Sequence, residues 1–183
     1  MSSDILPFKT QRLLLRRFHE KDLPAFTDYR SDPAVARYQS WNHFTLRDAQ
    51  VFFQGQRDLP WAKPDSWLQI ACTRLDTDEL IGDCGLHFLS EQGGMEIGFT
   101  VAPRFQGQGY AREAVQALCH QLFAKTGCQR IQAVTDARNL ASLRLLERVG
   151  FQQLGHEPEK TIFKGEPCEE WTLVLTPNLL DSL

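Results

Sequence analysis

The chain has 183 residues, of which 42% are hydrophobic and 23% are charged, and its formal net charge at pH 7 is −3. These values are ordinary for a folded soluble protein, and the length fits one domain, which we place at residues 1–183. No run of Lys and Arg stands out, so we expect no nucleic-acid partner. Residues 1–10 lack the pattern of a signal peptide, and no apolar run is long enough to span a bilayer. We therefore expect a cytoplasmic protein without a membrane partner.

Cysteine and histidine usage argues against a disulfide framework and against a metal site. The five cysteines are scattered and odd in number, and none forms a C-x-x-C pair. The histidines lack the spacing of metal ligands. We predict reduced thiols in the core and no bound metal; a catalytic cysteine stays open, although no neighbouring motif would activate one. The cysteines are Cys72, Cys84, Cys119, Cys128 and Cys168.

The N-terminal half is typical of one strand, two helices and then a run of strands. Asp22 is placed to cap the first helix, and Thr45-Leu-Arg-Asp48 has capping-box spacing at the start of the second. Turn-like stretches at 76–79 and 91–94 separate the later strands, which predicts an antiparallel meander. The predicted elements are a strand at 12–18, helices from 22 to about 30 and from 45 to about 57, and strands at 67–73, 80–89 and 94–101.

From residue 110 the hydrophobic period changes from that of strands to that of helices. Apolar residues recur at helical spacing from 110 to 126, and Gly127 is placed as a left-handed stop. A strand at 130–135 follows, and then a helix that Asn139 caps and Gly150 closes. The last predicted strands lie at about 151–163 and 169–175. This order of elements predicts one mixed α/β domain.

The stretch RFQGQGYARE, residues 104–113, places Gly107 and Gly109 just before a predicted helix. Glycine lets main-chain N–H groups approach an anion, and a helix N-terminus carries partial positive charge, so the stretch predicts a phosphate site. No G-x-x-x-x-G-K-[ST] string is present, which excludes a P-loop. A dinucleotide fingerprint would need a third glycine where Arg112 stands, although Asp136 could mimic its acidic residue.

Residues 106–111 fit the pattern Q/R-x-x-G-x-G/A, and they resemble the pyrophosphate loop that binds coenzyme A in the GNAT superfamily of N-acetyltransferases. The context matches, because a predicted strand at 95–101 precedes the loop and a helix follows it. Residues 139–151 resemble the N-x-x-S…E-x-x-G-F segment of the same superfamily. Residues 11–16 resemble the opening of its ribosomal-protein N-terminal acetyltransferase branch, the Rim type. The resemblance covers about residues 10–175.

The resemblance implies a central, mostly antiparallel seven-stranded sheet that splays between two neighbouring strands and is flanked by about four helices. It also implies acetyl-CoA as co-substrate. The N–H groups of the glycine loop would hold the pyrophosphate, and the amide-bearing arm of the cofactor would pair with the preceding strand. The implied cofactor residues are Phe99, Thr100, Val101, Gln106, Gly107, Gln108, Gly109, Tyr110, Ala111, Arg112 and Asn139.

The implied reaction is direct attack of a neutral amine on the thioester. Glu96 is the expected base, because strand alternation would aim it into the cleft, and Asp83 on the neighbouring strand is a weaker alternative. A main-chain N–H near Val101 would stabilise the oxyanion, as the resemblance implies. Many relatives carry a Tyr acid where this chain has Leu146, so we expect Ser142 to hydrogen-bond the sulfur in a positioning role.

The acceptor is expected beside the connection between the first two helices, where Trp41, His43 and Phe44 supply aromatic side chains and Asp83 lies nearby. The resemblance favours the N-terminal α-amine of a ribosomal or other protein. A small amine, such as a polyamine, an antibiotic or an amino acid, is the alternative within the same fold. A non-catalytic module that binds acetyl-CoA is a further alternative, and we expect a monomer or a homodimer.

Overall fold

In the computed structural model, which describes residues 4–90 and 94–180, helices pack on a nine-stranded sheet. The strands are β1 (Phe8–Lys9), β2 (Leu13–Arg17), β3 (Trp67–Arg74), β4 (Leu80–Phe88), β5 (Met95–Val101), β6 (Ile131–Asp136), β7 (Gln152–Gln153), β8 (Glu159–Phe163) and β9 (Glu166–Leu175). The helices are α1 (Leu23–Ser31), α2 (Pro33–Ala36), α3 (Leu46–Arg57), α4 (Tyr110–Thr126), α5 (Leu140–Val149) and α6 (Pro177–Leu180). The main path of the sheet runs β1-β2-β3-β4-β5-β6-β9-β7, and β8 pairs with β9.

The expected mixed α/β fold is confirmed, with more elements than the seven strands and four helices expected. The described residues form nine strands and six helices, and the additions are short: β1 and β7 have two residues each, and α2 and α6 have four each. α2 forms because Asp32 accepts a hydrogen bond from Ala34 N–H (2.8 Å) and Pro33 has the backbone angle of a first helical turn.

The chain after α5 departs from the two strands predicted at about 151–163 and 169–175. The first prediction is wrong as one element, because Gly155 (φ 90°) interrupts the chain between β7 and β8. β8 and β9 form a hairpin whose turn residues, Lys164 and Gly165, have φ of 52° and 83°. Positive φ at both central residues matches the twist of a tight hairpin. The predicted turn at 91–94 lies largely outside the described residues.

The parallel pair β5–β6 interrupts an otherwise antiparallel sheet. β5 pairs with β6 at two positions, Met95↔Ile131 and Glu96↔Gln132. On its other edge, β5 pairs with β4 along its whole length. β6 meanwhile stays paired with β9 from Ile131 to Asp136. Beyond Glu96, the edge of β5 that faces β6 has no strand partner among the described residues. The sheet therefore splays at this point, as expected, and leaves a wedge between β5 and β6.

Two apolar clusters hold the helices against opposite faces of the sheet. On β3, Ile70 and Cys72 pack in the cluster that includes α4 and α5, whereas Ala71 between them packs in the cluster of α1 and α3. α4 contributes Leu118 and Leu122, both fully buried, and each contributes about 1.5–3 kcal/mol by burial. This packing fixes the first turns of α4 and α5 beside the free edge of β5. None of the described helices is long and apolar enough to cross a membrane.

Candidate active site

The loop before α4 leaves a row of main-chain N–H groups unpaired. Gly107 and Gly109 have φ of 73° and 81°, in the left-handed region that favours glycine. Within the part of the chain that the structure describes, no acceptor bonds the N–H groups of residues 107–112. The first bonded amide is that of Glu113, which donates to Gly109 O (3.1 Å). Unpaired amides at a helix N-terminus form a site for an anion.

Arg12 and Glu113 fix this loop from the β2 side. Glu113 accepts hydrogen bonds from Thr10 Oγ1 (2.6 Å), from Arg12 N (2.8 Å) and from Arg12 Nε (2.7 Å). Burial raises the pKa of Glu113, but the hydrogen bonds from Thr10 and Arg12 outweigh burial and hold the pKa below its ordinary value. Arg12 Nη1 also donates to Gln108 O (3.0 Å), so a loop carbonyl is held on that side. Sequence reasoning missed this clamp, because 101 residues separate its two members.

The side chains of Gln106 and Gln108 bond the loop backbone. Gln106 Nε2 donates to Val101 O (2.9 Å), and Gln108 Nε2 donates to Arg104 O (2.9 Å). Both were expected to contact the cofactor. Their side-chain amides are instead engaged within the protein, so the main-chain N–H groups are what these two residues offer to a ligand.

A groove of about 770 Å³ runs from this loop along the free edge of β5. The charged residues in its lining are Arg112, Arg144 and Arg148, and none of them forms an ion pair with a described residue. The groove is therefore cationic and suits a ligand that carries phosphates. Gln108 is not in the lining, which includes the other expected cofactor residues: Phe99, Thr100, Val101, Gln106, Gly107, Gly109, Tyr110, Ala111, Arg112 and Asn139.

A second cavity, of about 480 Å³, meets the groove at the wedge. Gly85 and Gly98 face each other across β4 and β5 on its floor. A Cβ added at Gly98 would meet no atom within 4 Å, so the space above this glycine is open. The residues that line both spaces include Phe99, Thr100, Asn139 and Ser142. Two ligands, one in each space, would therefore meet end to end.

Asp83 lines this cavity, but it is 1% exposed and both of its carboxylate oxygens accept hydrogen bonds within the protein. Its carboxylate accepts hydrogen bonds from the Tyr29 hydroxyl, from the Gln69 side-chain amide and from Arg30 Nη2 (3.1 Å). Burial, and then the negative charge of Asp83, raise the pKa of Tyr29 well above its ordinary value. The Arg30 guanidinium in turn lies 4.1 Å from the Trp41 ring centroid. This arrangement favours an anchoring role for Asp83 in the cavity wall over the weaker expectation that it is the base.

Glu96, Asn139 and Ser142 lie around the junction of the two spaces. Glu96 lines the cavity and accepts a hydrogen bond from Gln132 Nε2 (3.2 Å). Asn139 caps α5, because its Oδ1 accepts from Ser142 N–H (3.2 Å). Ser142 thereby lies on the first turn of α5, where it lines both spaces. Leu146, one turn further along, is buried and also lines the cavity.

The connection between α2 and α3 forms another wall of the cavity. Trp41 lines the cavity, and its Nε1–H donates to Arg30 O (2.9 Å). Lys164 in the β8–β9 turn donates to Trp41 O (2.7 Å), so the hairpin ties this connection in place. Phe44 instead packs against the cluster of α1 and α3, and His43 is exposed; neither is in the cavity lining. The sequence grouped these three aromatic residues, and packing separates them.

The chain is similar to several proteins that are named or described as acetyltransferases. Residues 12–152 match the family model described as "Acetyltransferase (GNAT) domain". The Bacillus subtilis protein named "Uncharacterized N-acetyltransferase YnaD" is 33% identical over 162 residues, which cover 88% of this chain and 89% of that protein. An acetyltransferase (GNAT family) structure from Bacillus anthracis has a TM-score of 0.84 and 27% identity, over 93% of this chain and 98% of that one. A Vibrio cholerae structure described as a candidate ribosomal-protein-serine acetyltransferase has a TM-score of 0.79 and 26% identity, over 97% and 100%.

Proposed function

Because the chain belongs to the GNAT family of acetyltransferases, which use acetyl-CoA, we propose that it acetylates the N-terminal α-amine of a ribosomal or other protein. One observation carries the proposal: a cationic groove with unpaired amides meets an acidic cavity at the free edge of β5. The groove has the chemistry of a binding site for a phosphate-bearing cofactor, and the cavity has that of a site for an amine.

The proposed cofactor position follows from the groove. The amides of residues 107–111 hold the pyrophosphate, and the guanidinium groups of Arg112, Arg144 and Arg148 meet phosphate oxygens. Residues 99–101 on the unpartnered edge of β5 pair with the amide-bearing arm as an added strand would. This position brings the thioester to the wedge, beside Asn139 and Ser142.

The proposed chemistry is a single displacement. The amine nitrogen attacks the thioester carbon, the C–S bond breaks, and the proton of the amine passes to Glu96, directly or through a water. The N–H of Val101 stabilises the oxyanion. The Ser142 hydroxyl donates a hydrogen bond to the leaving sulfur. A thiol with a pKa of about 8.5 leaves as a thiolate without strong acid help, so the chemistry does not need an acid at the position of Leu146.

The cost of deprotonation favours an α-amine over a lysine side chain. An α-amino group with a pKa of about 8 costs about 1.4 kcal/mol to deprotonate at pH 7, whereas a lysine at about 10.4 costs nearer 4.6 kcal/mol. The carboxylate of Glu96 suffices for the first. The description of the Vibrio cholerae structure as a ribosomal-protein-serine acetyltransferase candidate supports the same choice. A small amine is the alternative acceptor, and the carboxylates that line the 480 Å³ cavity favour it.

Thiol release from acetyl-CoA tests the proposal, with N-terminal peptides of ribosomal proteins and a panel of small amines as acceptors. We expect turnover on peptides, with mass spectrometry placing one acetyl group on the α-amine. Turnover on small amines with none on any peptide would reverse the choice of acceptor. Calorimetry that detects no binding of acetyl-CoA would remove the proposed cofactor position.

A further inference from the structure

The acceptor cavity carries more carboxylates than its own cations neutralise. Asp83 is paired with Arg30, and Asp136 receives two hydrogen bonds from the Arg138 guanidinium (2.9 and 2.6 Å). Glu96 and Glu170 also line the cavity, and neither forms an ion pair with a described residue. Two negative side chains therefore face the cavity without a positive partner from the protein.

Glu170 occupies an unfavourable position for a carboxylate. It lies in the sheet directly between Asp136 on β6 and Glu159 on β8. Like charges directly opposite each other destabilise a sheet. Burial, and then the charges of Asp136, Glu159 and Glu96, raise the pKa of Glu170 above its ordinary value. The fold does not relieve this repulsion within the described residues, whereas a cation in the cavity would.

The aromatic walls of the cavity point to the same kind of ligand. Trp67 is 43% exposed and lines the cavity, and Gly85 makes room for it, since an added Cβ would lie 3.1 Å from the Trp67 ring. Phe163 and Tyr38 line the cavity as well, and each ring already lies against a cation of the protein, Lys164 and Arg37 respectively. Aromatic faces attract cations, and most strongly when water is excluded.

We propose that the acceptor carries a second cationic group besides the reacting amine, and that Glu170 binds this group while Glu96 faces the amine. The proposal rests on the proposed function, because it takes the cavity as the acceptor site. β6 separates the strands of the two glutamates, so these strands are about 10 Å apart, and Glu170 lies four residues further along the register, about 13 Å along the strands. The two backbones are therefore about 16 Å apart, and because both side chains line the cavity between them, an acceptor with cations about 5–10 Å apart reaches both carboxylates. A peptide with a basic second residue and a small diamine share this chemistry.

Two matched pairs of acceptors test the proposal. One pair is 1,5-diaminopentane and 1-aminopentane; the other is a peptide that begins Ala-Lys and its analogue that begins Ala-norleucine. We expect the wild type to show a kcat/KM at least about 10-fold higher for the dicationic member of a pair. Glu170→Gln is expected to reduce this preference to about twofold or less without changing the KM for acetyl-CoA, and Glu170→Asp to retain most of it.

Glu169→Gln is the matched control, because it removes the same charge from the adjacent residue, which is exposed and does not line the cavity. It should keep the full preference. A preference in the peptide pair identifies a protein acceptor with a basic second residue, and a preference in the diamine pair identifies a small polyamine. Equal kcat/KM within both pairs, or an unchanged preference in Glu170→Gln, would overturn the proposal. If no acceptor turns over, the proposed function fails, and calorimetry of the diamine and the monoamine with the CoA-bound protein still decides the role of Glu170.

Discussion

The groove and the cavity share residues at the wedge, yet they carry opposite charges. The groove takes its positive character from the unpaired amides before α4 and from arginines on α4 and α5. The cavity takes its negative character from Glu96 on β5 and Glu170 on β9. Helix starts supply hydrogen-bond donors to the groove, and strands supply carboxylates to the cavity. Because the two spaces meet where β5 and β6 splay apart, the fold can hold an anionic ligand next to a cationic one. Substitutions confined to one space should therefore affect one substrate.

Glu96→Gln should have the largest effect and should leave the groove intact. A general base contributes about 10²–10⁴-fold, so we expect kcat to fall about 100-fold or more. Glu96 is not in the groove lining, so calorimetry should give an unchanged Kd for acetyl-CoA. Steady-state kinetics with the preferred acceptor measures the first value. Wild-type kcat in this variant would show that another group or bulk water takes the proton.

Gly109→Ala should weaken the cofactor side. An alanine at φ 81° costs about 1–2 kcal/mol, and its Cβ would lie 3.4 Å from Arg12 Nη2. Because the loop must shift to relieve this strain, we expect the Kd for acetyl-CoA to rise about 10-fold, measured by calorimetry. Gly55→Ala in α3 is the control: its Cβ would meet no atom within 4 Å, so affinity should hold and stability should rise by about 0.5–1 kcal/mol. Wild-type affinity in Gly109→Ala would refute the anion site.

Gly98→Ala should affect the acceptor side by a smaller factor. The new methyl group meets no protein atom within 4 Å and projects into the cavity, so the melting temperature should not fall and should rise slightly, as for Gly55→Ala. We expect the KM for the acceptor to rise about fivefold, the low end of the roughly 1–3 kcal/mol that one carbon contributes in a binding pocket. The KM for acetyl-CoA should stay constant.

Gly82→Ala provides the contrast to this variant. Its Cβ would lie 2.3 Å from Thr100 O, so it should lower the melting temperature. If Gly98→Ala lowered the melting temperature and left the acceptor KM unchanged, Gly98 would not lie on the floor of the cavity.

Local patterns predicted the parts of this molecule that local chemistry determines. The helix predicted from 110 to 126 begins and ends there, with Gly127 left-handed at its end, and the glycine loop has the positive φ values that its motif requires. Contacts between distant elements were not predictable. The clamp of Arg12 and Glu113, and the tie from Lys164 to Trp41, depend on how sheet register brings separate segments together.

The same limit applied to the acceptor cavity. Nothing in the local sequence distinguishes Glu170 from Glu169, since both lie in a strand of mixed character. The pairing of Glu170 with Asp136 across β9 and β6 is what gives it an electrostatic environment of its own. Likewise, His43 and Phe44 match Trp41 in residue class, and their different positions follow from how the connection packs against α1 and the β8–β9 turn.

Glu170→Gln should also change the stability of the protein. This is the smallest of the expected effects, and it is a gain, whereas the effect of the same substitution on activity is a loss. A directly opposed like-charge pair costs about 0.2–1 kcal/mol, so removing one member should raise the melting temperature at neutral pH by about 0.5–4 °C. The folded-state pKa of Glu170 is raised, which means that the folded protein favours its protonated form. Wild-type stability is therefore lost as the pH rises through this pKa, and the advantage of Glu170→Gln appears over the same interval.

Melting temperatures at about pH 4 and pH 7.5 test the sign: the advantage of Glu170→Gln should be small at the acid end and full at the other. Glu169→Gln makes the comparison specific, because Glu169 lies opposite Lys160 in the β8–β9 pair. Removing that favourable pair should lower the melting temperature slightly or leave it unchanged. If the carboxylates that face the cavity repel one another, Glu170→Gln should therefore raise the melting temperature and Glu169→Gln should not. A lower melting temperature for Glu170→Gln at neutral pH would mean that this carboxylate stabilises the fold, and its presence in the cavity would then need no cationic ligand to explain it.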